Sequence, residues 1–221
     1  MSTVLVVGAS RGLGLTLATQ YASAGWRVIG TARTAEGLSR LRSVGAEAMS
    51  LDVSDPASVS ALSWRLDGEK LDLALYVAGV MDKASAQMPP TREAFDAVMH
   101  ANVLGAMQVI PQIAPMVQEA RGSLVCLSSR MGSLALTESG DAWLYRVSKA
   151  ALNMVVRTAQ ATYADMTVVA LHPGWVQTDM GGQAAPLTPH ASVTAMRATL
   201  AALTPQHRGQ FLSYDGTPLA W

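Results

Sequence analysis

The stretch "YRVSK" sets Tyr145 and Lys149 four residues apart, which on a helix puts them one turn apart on the same face. An ammonium beside a phenol favours the phenolate and lowers the tyrosine pKa. A tyrosine tuned in this way can give a proton to a carbonyl oxygen, or take one from an alcohol, near neutral pH. The spacing is common by chance, so its meaning depends on what accompanies it. "LSSRMG" offers the hydroxyls of Ser128 and Ser129, either able to hydrogen-bond the same carbonyl. "HANVLGA" puts Asn102 within a long helical stretch, where an amide is a poor helix former and, once buried, needs partners.

A second constellation opens the chain. "VVGASRGLG" places glycines at 8, 12 and 14 directly after an apolar run. In this spacing Gly8 suits a turn closed to side chains, Gly12 lets a pyrophosphate approach the backbone, and Gly14 lets the following helix pack on a sheet. That helix aims its N-terminal amides and positive dipole end at phosphates. The next strand ends "GTAR", with Ala32 where an NAD-binding protein offers a carboxylate to the adenosine ribose, and Arg33 following. A guanidinium at Arg33, with Arg11 of "ASRG", suits a 2′-phosphate through charge-assisted, bidentate hydrogen bonds. The pattern favours NADP(H) over NAD(H).

Short β-rich runs alternating with longer amphipathic ones must position these residues. Strands are expected at 3–8, 26–32, 46–53, 71–80, 122–129 and 166–173, with a short seventh in "GQFLSYDG". Helices are expected over about 13–24, 35–43, 55–66, 91–118, 143–163 and 190–202, the third capped by Asp55 with Pro56 at its first position. Gly25 closes the first helix. The pattern predicts an α/β fold: one Rossmann-type, doubly wound parallel sheet of about seven strands with helices on both faces, spanning 1–221 as one domain. Ligands in such sheets bind beyond the carboxyl ends of the strands, where all three constellations fall.

Composition narrows the partners. Half of the 221 residues are hydrophobic and 14% are charged, as in a compact globular chain. Lys plus Arg and Asp plus Glu balance at 16 each, which argues against nucleic acid and anionic membranes as partners. No apolar run reaches the ~20 residues of a membrane helix, and no secretion signal is visible. Cys126 stands alone, which fits a reducing cytoplasm and a small core residue. The four histidines lack ligand spacing, so no metal is expected. His172 is read as packing or hydrogen-bonding locally, and Trp143 and Trp175 as flanking the site. "DMGGQAAPLTPH" reads as a small mobile flap over an open site that admits varied or bulky carbonyls.

With these residues in this order, the chain resembles the short-chain dehydrogenase/reductase family over essentially its whole length. "YRVSKAALNM", "HPGWVQTDMGG" and "FLSYDGTPLAW" look most like its compact carbonyl-reductase and C-factor type members. The resemblance implies an Asn–Ser–Tyr–Lys tetrad at Asn102, Ser129, Tyr145 and Lys149, with Ser129 rather than Ser128 as the serine. Asn102 would hold a water behind Lys149, and Lys149 would bind the nicotinamide ribose. It implies a nucleotide site of Gly8, Ser10, Arg11, Gly12, Leu13, Gly14 and Arg33, with Asp52 and Val53 beside adenine and Ala78 and Gly79 after the fourth strand. Pro173, Gly174, Val176 and Thr178 are implied around the nicotinamide amide. The implied activity is hydride transfer between NADP(H) and a small carbonyl or alcohol; the alternative is an NADP(H)-binding regulatory or signalling module on the same fold. A homodimer or homotetramer is implied as well. Two departures stand out: Val7 replaces the usual threonine before the first glycine, and "YVAG" (Tyr76, Val77) replaces the usual NNAG.

Overall fold

The structure is a computed structural model and describes all 221 residues. Its seven strands are β1 (Thr3–Val7), β2 (Arg27–Ala32), β3 (Glu47–Ser50), β4 (Leu73–Tyr76), β5 (Ser123–Leu127), β6 (Thr167–His172) and β7 (Phe211–Ser213). They form one sheet in the order β3-β2-β1-β4-β5-β6-β7, with every pair parallel. Strand side chains alternate between faces, and both faces are covered. Leu5 and Val7 join Leu124, Ile113 and Leu152 in one core, while Val4 and Val6 join Leu17, Leu41 and Met196 in the other.

Eight helices cover the sheet: α1 (Gly12–Ser23), α2 (Ala35–Ser43), α3 (Pro56–Ser60), α4 (Leu62–Arg65), α5 (Arg92–Met99), α6 (Gly105–Glu119), α7 (Trp143–Thr162) and α8 (Pro189–Ala201). Asp55 caps α3 through the Ala57 amide at 3.0 Å. The helix expected over 55–66 breaks at Ala61 into α3 and α4. The long helix expected over 91–118 is continuous, but residues His100–Leu104 between α5 and α6 form a π-helical turn. No helix is long and apolar enough to cross a membrane.

Strand order reverses between β1 and β4, so the loops after these strands part and leave a crevice. The two loops are anchored together, because the amides of Val77 and Ala78 both donate to the Val7 carbonyl, at 2.9 and 3.0 Å. Tyr145 and Lys149, both on α7, and Asn102, in the π turn, are carried to this end of the sheet by the elements packed on its second half.

Candidate active site

The crevice is a cleft of about 450 Å³ floored by the glycine loop. Gly8 has φ +88°, and a Cβ there would sit 2.7 Å from the Ala78 backbone. A Cβ at Gly14 would come within 2.2 Å of the Gly8 carbonyl oxygen, so α1 packs on the loop only because that carbon is missing. The hydroxyl lost at Val7 has a substitute: Thr31 Oγ1 on β2 accepts the Gly8 amide at 3.0 Å, and the Thr31 carbonyl accepts the Ala9 amide at 2.8 Å. No side chain caps α1 and no acid stands in its first turn, so its leading amides are open to an anion.

Ser10, Arg11, Gly12, Leu13, Arg33, Val53, Ala78, Gly79, Pro173 and Thr178 all line the cleft, as do Tyr145 and Lys149. Ala32 lines it where an acid would contact a ribose, and Arg33 enters no ion pair. Glycines that a Cβ would fill, an uncapped helix end and a free guanidinium together fit a phosphorylated dinucleotide. Four implied residues stand differently. Asp52 is absent from the lining; its Oδ1 accepts the Ser54 amide at 2.9 Å, which turns the carboxylate into a local turn. Arg11 is engaged rather than free beside Arg33, since its Nη1 donates to Asp179 at 2.5 Å. Gly174 and Val176 line the cavity next door instead.

That second cavity, about 630 Å³, adjoins the first, and Tyr145, Ser128, Leu13, Pro173, Thr178 and Met180 line both. Ser129 lines only the second. The two serines divide their work: Ser128 donates to Asn153 Oδ1 at 2.5 Å, while Ser129 Oγ accepts the Met131 amide and lies close enough to Tyr145 to favour its phenolate. Here the expectation for Tyr145 needs correcting. Its pKa is pushed up to about 12, because burial penalises the phenolate more than Ser129 favours it. Lys149 does not offset this. Its Nζ lies 5.6 Å from the ring centroid and donates to the Leu127 carbonyl at 2.8 Å, and burial pulls its own pKa down to about 8. Tyr145 is therefore a protonated acid at neutral pH.

Asn102 is wholly buried, and its amide is spent inside the protein. Nδ2 donates to the Val80 carbonyl at 2.9 Å and to Ser148 Oγ at 2.8 Å, while Oδ1 accepts the Val80 amide at 2.8 Å. Ser148 in turn donates to the Tyr145 carbonyl at 2.7 Å. With both amide protons taken, the side chain clamps the β4 loop to α7. Tyr76 of "YVAG" explains the π turn's other contact: its hydroxyl, buried below β4, donates to the Ala101 carbonyl at 2.7 Å. A Cβ at Gly105 would lie 2.5 Å from that hydroxyl, so the tyrosine and the glycine fit as a pair.

The family model for short chain dehydrogenase matches residues 2–187. The chain belongs to the short-chain dehydrogenase family. It is an oxidoreductase of that family, and its relatives agree with the carbonyl-reductase and C-factor likeness. The dehydrogenase is 44% identical over 123 residues to the C-signal of Myxococcus xanthus, covering 54% of this chain and 74% of that protein. It is 34% identical to the 1-hydroxy-2-glutathionyl-2-methyl-3-butene dehydrogenase of Rhodococcus sp. (strain AD45), covering 100% of both chains. Among solved structures, an NADPH-bound carbonyl reductase from chicken fatty liver superposes with a TM-score of 0.91 at 29% identity, covering 100% of this chain and 99% of that one.

Other expectations for the dehydrogenase change. Trp175 is exposed and lines the second cavity, but Trp143 lines neither cavity. His172 lines the second cavity with its Nδ1 unpartnered, and burial followed by the charge of Arg130 pushes its pKa down to about 4. The expected flap is tied back on its own loop: Val176 bridges Leu187, Gln177 Nε2 donates to the Ala185 carbonyl at 2.9 Å, and the Gly182 amide donates to the Thr178 carbonyl at 2.8 Å. Thr31, Tyr76 and Ser148 went unread as parts of the site. Ser148 stands inside "YRVSK" itself, yet only its contact with Asn102, 46 residues away, gives it a role.

Proposed function

We propose that this dehydrogenase interconverts a carbonyl compound and its alcohol with NADP(H), with Tyr145 as the acid in the reductive direction. The observation that carries this reading is Tyr145 at the junction of the two cavities, sharing the second with Ser129 and one turn from Lys149. The bound nicotinamide supplies or receives the hydride. Gly8, Ser10, Gly12, Leu13, Gly14, Val53, Ala78 and Gly79 hold the dinucleotide, and Arg33 takes the 2′-phosphate. Pro173, Gly174, Val176 and Thr178 form the wall at its reactive end. Tyr145 gives its proton to the carbonyl oxygen while the Ser129 hydroxyl donates a hydrogen bond to the same atom. Lys149, charged below about pH 8 and lining the nucleotide cleft, binds the nicotinamide ribose and so holds the reactive end of the cofactor beside Tyr145. Asn102 keeps α7 and the β4 loop in register.

The test is NADPH and NADH oxidation against aldehydes, ketones and quinones, with Tyr145→Phe beside the wild type. We expect kcat to fall by about 10²–10⁴ in the variant, with the NADPH dissociation constant nearly unchanged. A fully active variant rejects the assignment. Tight nucleotide binding without turnover of any carbonyl would favour the regulatory reading instead.

The proposal extends to assembly and location. Phe95, Leu104 and Met107 on α5–α6, with Val147 and Met154 on α7, expose apolar surface suited to a second copy of the chain. A buried free Cys126 suits the cytoplasm.

A further inference from the structure

The cavity beyond Tyr145 has a charge pattern that proton and hydride transfer do not use. Lys83, from the loop after β4, Arg130, from the turn after β5, and Arg146, from the first turn of α7, all line it. One carboxylate, Glu138, stands with them, and none of the four enters an ion pair. His172, the remaining titratable group besides Tyr145, is neutral. Three cations against one carboxylate leave the cavity wall net positive, which favours an anionic ligand there.

The arrangement is built, not incidental. The Ala86 amide donates to the Gly140 carbonyl at 3.0 Å and the Trp143 amide to the Ala84 carbonyl at 3.2 Å, so the Lys83 loop is fastened to the start of α7. Arg146 Nε donates to the Asp141 carbonyl at 2.8 Å, which fixes the guanidinium and leaves its terminal nitrogens outside any ion pair. Arg130 directly follows Ser129, the residue expected to hold the reacting carbonyl. The rest of the wall includes apolar Met81, Met131, Leu136, Trp175 and Met180. One site thus offers a carbonyl-binding hydroxyl, an apolar wall and a cationic rim.

We infer that the substrate is a carbonyl compound with an apolar body and an anionic group, held by Arg130, Arg146 and Lys83 while its carbonyl faces Tyr145. This rests on the reductase reading above. A planar guanidinium fork matches a carboxylate through paired hydrogen bonds, so a carboxylate is the probe of choice.

The experiment measures kcat/KM with NADPH for para-carboxybenzaldehyde and for its methyl ester, together with calorimetric binding of para-toluate and para-toluamide to the NADP⁺-loaded protein. We expect the wild type to prefer the acid by about tenfold, with the preference shrinking as salt is raised. Arg130→Gln combined with Arg146→Gln should bring the acid-to-ester ratio close to one; Lys83→Gln, in an exposed loop, should lower it part of the way, as should Arg130→Lys, which keeps the charge but loses the fork. Reduction of both aldehydes with a wild-type ratio near one overturns the inference and leaves the reductase reading standing. So does a ratio that survives in both the folded double variant and Lys83→Gln. Toluate binding without reduction of either aldehyde overturns the reductase reading, and with it the anion's assignment as part of a substrate.

Discussion

The nucleotide cleft and the proton site share Tyr145 but are made of different material. Around β1, α1 and β2 the walls are mostly backbone: glycines without a Cβ, open amides at a helix start, and the Val7 carbonyl that ties in the β4 loop. Around the π turn and α7 the working parts are buried side chains, each held by a partner far away in sequence: Asn102 by Val80 and Ser148, Tyr76 by Ala101, Lys149 by Leu127. Backbone sites tolerate no added volume. Side-chain sites tolerate volume better but fail when a buried polar partner is lost.

The sharpest break in that contrast is Gly14→Ala. The methyl would collide with the Gly8 carbonyl, so we expect a loss of about 1–3 kcal/mol in unfolding free energy and loss of NADPH binding, read by thermal melts and by fluorescence titration. A variant that melts and binds like the wild type would show that the loop is not closed by backbone contact. Next comes Arg33→Ala: the KM for NADPH should rise about tenfold with little change for NADH, because only the phosphorylated nucleotide offers the guanidinium an anion. Equal effects on both nucleotides would remove Arg33 from the 2′-phosphate.

On the side-chain half, Lys149 and Tyr76 carry smaller expected effects. Burial holds Lys149 near 8, so its ammonium is charged below that pH and neutral above it. Reductive kcat/KM should therefore fall as pH rises through about 8, while Tyr145, near 12, stays protonated throughout the window. A profile flat to pH 10 would detach the Lys149 charge from turnover. The smallest effect belongs to Tyr76→Phe, which leaves the ring and removes one buried hydrogen bond to Ala101. We expect about 1 kcal/mol of stability and a few-fold loss in kcat with KM unchanged. A loss in KM alone would mean that Tyr76 shapes the cleft rather than the register of the π turn.

Legibility in the sequence follows the same division. The strands and the glycine loop could be read because their signals are local: apolar runs of strand length, and three glycines whose missing side chains say how close the backbone comes. Tyr145 and Lys149 could be read from helical spacing. Asp52 reads in sequence as a ligand alone, whereas its carboxylate also serves a local turn by accepting the Ser54 amide. Arg11 reads without its counter-charge, because Asp179 lies 168 residues away. The break at Ala61 and the π turn at Asn102 lack a distinguishing local pattern, since each depends on what the helix packs against.

By itself the sequence determined the parallel doubly wound sheet and marked out the glycine loop and the Tyr145–Lys149 pair. It could do so because periodicity, missing side chains and one-turn spacing act within a few residues. The tertiary structure decided how those groups are tuned. Burial sets the protonation of Tyr145 and Lys149 against the expected pull of one upon the other. Asn102 becomes a clamp because Val80 and Ser148 reach it first, and Lys83, Arg130 and Arg146 gather around one cavity. Solvent exclusion and long-range contact depend on which segments meet in space, and no short stretch of chain contains that.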